Sequence, residues 1–250
     1  MPAVCIKEFA LHVGPAVSLV DYWDFDDGAT PFIAKLDPDN NFVVSSGAVG
    51  AGAAGIINTC MHMSGVPLLG TASVETTANP LINPTHGFTW TTWVNFATFG
   101  GGSSIVFEIH FLNILNVEVI NFRAIFPLGP PPVFPVVQKN NATFFSPTSN
   151  FSAALWYFIQ IQYNATTKKF GFQRGHPVFG LGGLQESSPI ADDLSAITKG
   201  YLVLKCVNDT GISPDWRQDE SGFWARLLTN AEVVQLFGGG TPPAYPAIPQ

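Results

Sequence analysis

Short runs of alternating apolar and polar residues dominate the chain. In Leu19-Val20-Asp21-Tyr22-Trp23-Asp24-Phe25-Asp26, the odd positions Trp23 and Phe25 are predicted to point inward. Asp24 and Asp26 then face solvent, and Asp27-Gly28 makes the turn. Phe88-Thr89-Trp90-Thr91-Thr92-Trp93-Val94-Asn95-Phe96 is a second β-rich run, bounded by Gly87 and the triplet Gly100–Gly102. Ile105 to Phe111 and Val117 to Phe126 read as a strand pair. Leu155 to Tyr163, a turn at Asn164–Thr167 and Lys168 to Gln173 read as a hairpin, and Tyr201 to Val207 as another apolar strand. The small residues 45–55 read as a flexible loop. The Pro-rich stretch Pro127 to Pro135 is excluded from any central strand. A helix is predicted at one place. Thr229-Asn230-Ala231-Glu232 is a capping box, with Thr229 as the cap and Glu232 reaching back. Val233, Val234, Leu236 and Phe237 supply an apolar face, and Gly238 closes the helix in the left-handed conformation.

Composition agrees with a β-rich fold and narrows the partners. The 250 residues include 21 Phe, 24 Gly and 20 Pro, which suits many short strands joined by tight turns. Only 12% of residues are charged, about half the usual share, while 46% are hydrophobic. That excess has two readings: a large core, or a protomer partly buried against its neighbours. Scarce Lys and Arg and a net charge of -7 exclude a phosphate-backbone partner, so no nucleic acid is expected. Cys5, Cys60 and Cys206 are widely spaced and read as free thiols. Residues 1–20 hold no basic region leading into an apolar run, so no secretory signal is expected. No stretch of 18 apolar residues occurs, so membrane insertion by a helix is not expected either. Synthesis in a reducing cytoplasm follows, and the sequons at Asn141, Asn150, Asn164 and Asn208 read as chance. The chain divides into an N-terminal arm (1–18), one body (19–238) and a Pro-rich tail (239–250).

Three segments, in order, resemble the concanavalin A-like/laminin-G-like jelly-roll superfamily. Val20 to Asp26 resembles its opening strand. Phe88 to Val94 resembles its F-T-x-x-x-W-V core strand. Asp219-Glu220-Ser221-Gly222-Phe223-Trp224-Ala225-Arg226-Leu227-Leu228-Thr229-Asn230-Ala231-Glu232 and the residues to Phe237 resemble its closing D-E-x-x-x-W-x-R-x-L-T-x-x-E motif. Trp156 to Gly175 resembles an intervening hairpin. The resemblance implies an all-β fold, a two-sheet antiparallel jelly-roll sandwich with one short C-terminal helix. In that frame Trp23, Phe25, Phe88, Trp93, Trp156, Phe223, Trp224 and Leu228 are the expected core. Trp23, Trp93 and Trp156 would face one another across two layers, and helix 229–237 would seal one end.

Candidate chemistry is sparse. Hydrolases of this fold carry carboxylates at alternate strand positions, Glu-x-Asp-x-Glu, and this chain has no such triplet. Glu108 and Glu118 read as isolated, so no enzyme activity is expected. Some members of the family bind calcium. Asp24-Phe25-Asp26-Asp27-Gly28 resembles half of a calcium loop, but Lys35 stands where an EF-hand needs its last Glu. Asp26, Asp27 and Asp219 are the calcium candidates if the fold joins them, with no cofactor required. The alternative reading makes Asp24 and Asp26 the wet face of an edge strand. Glu220 and Arg226 are expected to pair. The five His are scattered without metal spacing.

Two functions remain open. One is a non-catalytic structural or attachment subunit of a large assembly, at the surface of a phage or virus particle (decoration, fibre or head-surface protein), with other protein subunits as partners. The other is a carbohydrate-binding lectin-like module, with glycans as partners and calcium as a candidate aid.

Overall fold

The computed structural model describes residues 19–243 except 38–39, 48, 65, 67–69, 77–85, 99–102, 128–134, 193, 195–196 and 209–214. The N-terminal arm, most of the Pro-rich stretch, the last seven residues of the tail and Cys5 lie outside them. In chain order the strands are β1 (Leu19–Trp23), β2 (Phe42–Ser46), β3 (Val49–Ala54), β4 (Thr59–Met63), β5 (Gly70–Thr76) and β6 (Phe88–Thr98). There follow β7 (Ser103–Leu112), β8 (Glu118–Pro127), β9 (Val136–Lys139), β10 (Ala142–Phe145), β11 (Trp156–Asn164) and β12 (Lys169–His176). The last are β13 (Gly180–Leu181), β14 (Gln185–Glu186), β15 (Lys199–Asn208) and β16 (Asp215–Trp224), before helix α1 (Asn230–Phe237).

These strands form two antiparallel sheets. The first runs β13-β12-β11-β6-β16-β4-β3, with β1 added on β16 and β14 on β12. The second runs β10-β9-β8-β7-β15-β5-β2. Period-two alternation is what makes them stack. Phe88, Trp90, Val94 and Phe96 leave one side of β6 and meet the inward side of the second sheet. Aromatic rings join the layers: Trp90 lies 5.6 Å from Phe107, Phe96 4.9 Å from Phe126, and Phe170 4.4 Å from Phe122. Trp23, Phe25 and Phe223 belong to the same inter-sheet core.

The first sheet is also covered on its outer side, and this departs from the expectation drawn above. Trp93 does not face Trp23 across the sandwich. It leaves β6 on the opposite side from Trp90 and stacks on Phe237 of α1, centroids 5.8 Å apart and 12° from parallel. Phe158, Trp224 and Leu228 complete this second cluster, and Trp156 is a half-buried flank of it. The helix therefore lies on the face of a sheet rather than sealing an end. Two glycines leave room for it and for its neighbours. A Cβ on Gly175 would meet the Phe237 ring at 2.7 Å, and one on Gly171 would meet Leu184 and Gln162 at 2.9 Å.

The helix ends are as read from the sequence. The Thr229 hydroxyl accepts from the Glu232 N–H, Glu232 accepts from the Thr229 N–H, and Gly238 is left-handed at φ 58°. Val233, Leu236 and Phe237 are buried, whereas Val234 faces out. Arg226 pairs with Glu232 (2.6 and 2.8 Å) rather than with Glu220, because Glu220 is turned to the other end of the bulge described below. That ion pair and the Thr229 N–H hold the Glu232 carboxyl down at about 2. Thr229→Ala should cost about 1 kcal/mol, read as a lower urea midpoint with unchanged slope; an unchanged midpoint would remove the cap from the account.

Residues 45–55 are not a loop. Ser45 and Ser46 end β2, and 49–54 form the edge strand β3, paired with β4. Strand pairing uses backbone groups, so Gly and Ala suffice where a partner strand supplies the ladder. Gly47 makes the tight crossing between them at φ 68°, where a Cβ would fall 2.3 Å from the Thr71 carbonyl oxygen.

Candidate functional site

A cleft opens on the outer side of the first sheet, between α1 and the segment joining β13 to β14. Its volume is about 430 Å³, inside the range of roughly 300–1,000 Å³ usual for small-molecule sites. The floor comes from strand alternation. On β11 the inward residues Ile159 and Ile161 enter the core, so Gln160 and Gln162 must face outward between them. On β12 the same rule turns Gln173 outward, directly opposite Gln160 in the register. Leu228 and Val233 wall one side, and Leu181 to Leu184 the other. Gln173 Nε2 donates to the Gly182 carbonyl and ties that wall to the floor.

The lining is neutral: three Gln, one Asn, two Gly and aliphatic side chains, with neither a charged group nor an aromatic ring. Gln160 Nε2 donates to Gln162 Oε1 at 2.8 Å, while Gln160 Oε1 is buried with no hydrogen-bond partner. A buried acceptor left unfilled costs about 1–3 kcal/mol. The signal in the sequence was Gln160-x-Gln162 and Gly171-x-Gln173-x-Gly175, polar or small residues alternating with Phe and Ile in a hairpin. Sequence reasoning registered the strands and overlooked their outer face.

The expected calcium candidates come near one another but do not form an ion site. Asp27 Oδ2 accepts from the Ile33 N–H at 2.8 Å, and Asp26 Oδ1 from the Thr59 N–H at 2.8 Å. Asp219 Oδ2 accepts from the N–H groups of Ile56 and Ile57 at 2.9 and 3.3 Å. Each carboxylate thus accepts from backbone N–H groups. Among the described residues no three Asp, Glu, His or Cys gather as metal ligands. Burial, with the Glu220 charge beside it, also pushes Asp219 up to about 9. These residues do not fit the ion. Nor are Asp24 and Asp26 simply a wet strand face, for Asp24 holds Lys35 at 2.8 Å.

Asp219 and Glu220 sit at a bulge in β16, where its outer partner changes from β4 to β1 and its register against β6 slips between Asp219 and Gly222. Glu220 takes φ 47°, a left-handed conformation rare outside glycine. The bend turns its carboxylate inward to accept from the Tyr22 hydroxyl, where burial raises it to about 7.

On the outer side of the second sheet the fold joins two residues that read as isolated. His110 contacts Glu108 at 3.3 Å through Nε2 and Glu118 at 2.8 Å through Nδ1, and lies flat on Tyr201 with centroids 4.6 Å apart. Strand β7 places Glu108 and His110 on one face, and β8 brings Glu118 back alongside. Burial opposes the charged imidazole, but both carboxylates favour it and the net shift is upward. The imidazole ring sits between the two carboxylates. Cys60 and Cys206 are buried free thiols, both pushed up to about 12 by burial.

No protein-family model and no curated protein matches the chain. Solved structures do. The lectin UEA-II, the Ulex europaeus lectin II, solved with galactose, aligns at TM-score 0.57 and 12% identity, covering 82% of this chain and 98% of its own. The CBM2 module of the evolved Dit of Lactobacillus casei BL23 phage J-1 aligns at TM-score 0.57 and 12% identity, covering 85% and 97%. The binding domain of botulinum neurotoxin DC in complex with SialylT aligns at TM-score 0.59 and 13% identity, covering 88% of this chain and 51% of the longer neurotoxin chain. At such identities these likenesses speak to architecture, and with the topology above they establish the chain as a lectin-like β-sandwich.

Proposed function

We propose that the protein is a non-catalytic attachment module that holds a neutral glycan in the amide-floored cleft. The observation that carries this reading is the cleft itself: three glutamine amides at the base of a concave, uncharged, aliphatic-walled site. Primary amides both donate to and accept from sugar hydroxyls, and the apolar walls cover C–H faces. The lectin-like fold, shared with structures solved with sugars, supports it. An acidic sugar would lose water in the cleft without gaining a cation, so neutral glycans are favoured.

A glycan array carrying neutral and acidic oligosaccharides tests the reading. Neutral glycans should bind, and Gly183→Asp should abolish the signal by at least tenfold. Gly183 lines the cleft and has open space at its Cβ position, so the added side chain blocks the site without straining the fold. Silence of the wild-type protein across the array would end the proposal.

A second observation favours mounting this module on a larger assembly, such as a phage or virus particle surface. Ile114 and Leu115 at the β7–β8 turn are 77% and 76% exposed, and Val178 and Phe179 after β12 are each 78% exposed. Turn tips of this kind are suited to burial against neighbouring subunits. The resemblance to a phage Dit module supports the same setting. Light scattering of the purified protein should show self-association that Ile114→Ser/Leu115→Ser removes; a strict monomer at high concentration would count against homo-assembly through this tip.

A further inference from the structure

We propose that the outer face of the first sheet carries a second site, which takes the carboxylate of an acidic sugar on Arg217, beside Asn95 and Trp156. It is separate from the cleft and goes beyond the neutral-glycan reading.

Strand register builds the site. Tyr157, Phe96, Trp216 and Met61 enter the core between the sheets, so alternation turns their neighbours Trp156, Asn95, Arg217 and His62 outward. Trp156 stands opposite Asn95, Asn95 opposite Arg217, and Arg217 opposite His62. The four make one row across β11, β6, β16 and β4. At about 4.8 Å per strand the row spans roughly 14 Å, room for a short oligosaccharide. The adjoining pair, Phe158 and Trp93, carries Phe237 of α1, which separates the row from Gln160 and the cleft.

Unspent hydrogen-bonding groups mark the row. Arg123 donates to Gln138, Arg174 to Asn150 and Arg226 to Glu232. Among the described residues, Arg217 alone of the arginines has no hydrogen bond or ion pair. Its Nε is buried without an acceptor, while the half-buried side chain still meets solvent at its terminal nitrogens. The carboxylates of its own strand are engaged elsewhere. Asp215 holds His62 at 2.8 Å, Asp219 accepts from the Ile56 and Ile57 N–H groups, and Glu220 from Tyr22. Asn95 is 7% exposed, and among the described residues its amide has no hydrogen bond either.

The ligand class follows from these groups. A guanidinium meets a carboxylate through two parallel N–H groups, a fork that matches both oxygens. One unpaired cation balances one negative charge, which favours a carboxylate over a phosphate. The Asn95 amide beside it both donates to and accepts from ring hydroxyls. Trp156, half-buried against the helix cluster, ends the row with an indole on which the apolar face of a pyranose can lie.

Isothermal titration of the full chain at low salt tests this with digalacturonic acid, its carboxyl-reduced counterpart, and the amide of N-acetylglutamate. The acidic disaccharide should bind at least tenfold more tightly than the reduced one, and the preference should weaken as salt rises. Arg217→Gln should erase the preference, and Arg217→Lys, which keeps the charge without the fork, should retain only part of it. Gly183→Asp, which blocks the cleft, should leave it intact. The melting temperature of each variant is checked separately. Equal affinity for the two disaccharides, no binding of either, or a preference that survives Arg217→Gln would overturn the inference, while the neutral-glycan reading stands or falls on the array. Loss of acidic binding in Gly183→Asp would overturn it by placing the ligand in the cleft. Binding of the glutamate derivative as tightly as the acidic disaccharide would overturn it in favour of a peptide carboxylate.

Discussion

Replacing Trp93 by alanine is expected to destabilise the protein by about 3–5 kcal/mol and to release helix α1 from the sheet. Trp93 is 1% exposed, and its ring fills the space between Phe237 and Phe158, 5.8 and 5.7 Å away. Truncation removes one of the two buried tryptophans of the second cluster and leaves a cavity that a β-sheet floor cannot collapse to fill. Because Leu228 and Val233 wall the cleft from this same cluster, ligand affinity should fall as well. Guanidinium denaturation gives the stability loss, and amide hydrogen exchange over 230–237 gives the local loosening. A loss below about 1 kcal/mol, or unchanged protection of the helix, would contradict the assignment of Trp93 as the post on which the helix rests.

The second large effect is one of pH. Glu220 is 4% exposed, and burial raises its carboxyl from an ordinary 4.5 to about 7, with the Asp24 and Asp26 charges adding to the rise. The Tyr22 hydroxyl and Lys35 oppose it, and buried Asp219 alongside is raised further, to about 9. A raised carboxyl in the folded state means that folding takes up a proton. The stabilisation is complete below the unfolded value near 4.5 and disappears as pH climbs through about 7. Stability should thus be greater at pH 5.5 than at pH 7.5, by about 2 kcal/mol from Glu220. His110 and Asp219, both also raised, contribute in the same direction, so the assignment needs a variant. Glu220→Gln should make the dependence shallower by about 2 kcal/mol over this range, since a neutral amide keeps an acceptor for Tyr22 and has no proton to lose. Identical pH profiles for wild type and variant would refute it.

Strand positions were legible because period-two alternation is a local property: β6, β7, β8, β11 and β15 all lie where their apolar residues recur. The helix was legible for the same reason, since Thr229, Glu232 and Gly238 act within a few residues of one another. Which side of a sheet a residue covers was less legible. On β6, Trp90 and Trp93 are both buried, so alternation of burial vanishes and nothing local marks one as core and the other as helix support. The Gly-Ala strand β3 was read as a loop because its ladder partner, β4, carries the information. Glu108 and Glu118 meet on His110 only through the β7–β8 pairing.

The chain alone determined that it would form many antiparallel strands and where the helix at 230–237 would begin and end. These follow from side-chain period and capping chemistry, which need no distant partner. Only the tertiary structure decided that the helix lies across the outer sheet face, that Asp219 turns to loop N–H groups while Glu220 turns to Tyr22, and that Gln160, Gln162 and Gln173 become the floor of a cleft. Each depends on residues far apart in sequence being brought together by strand register, and register is set by the cooperative packing of both layers rather than by any single segment.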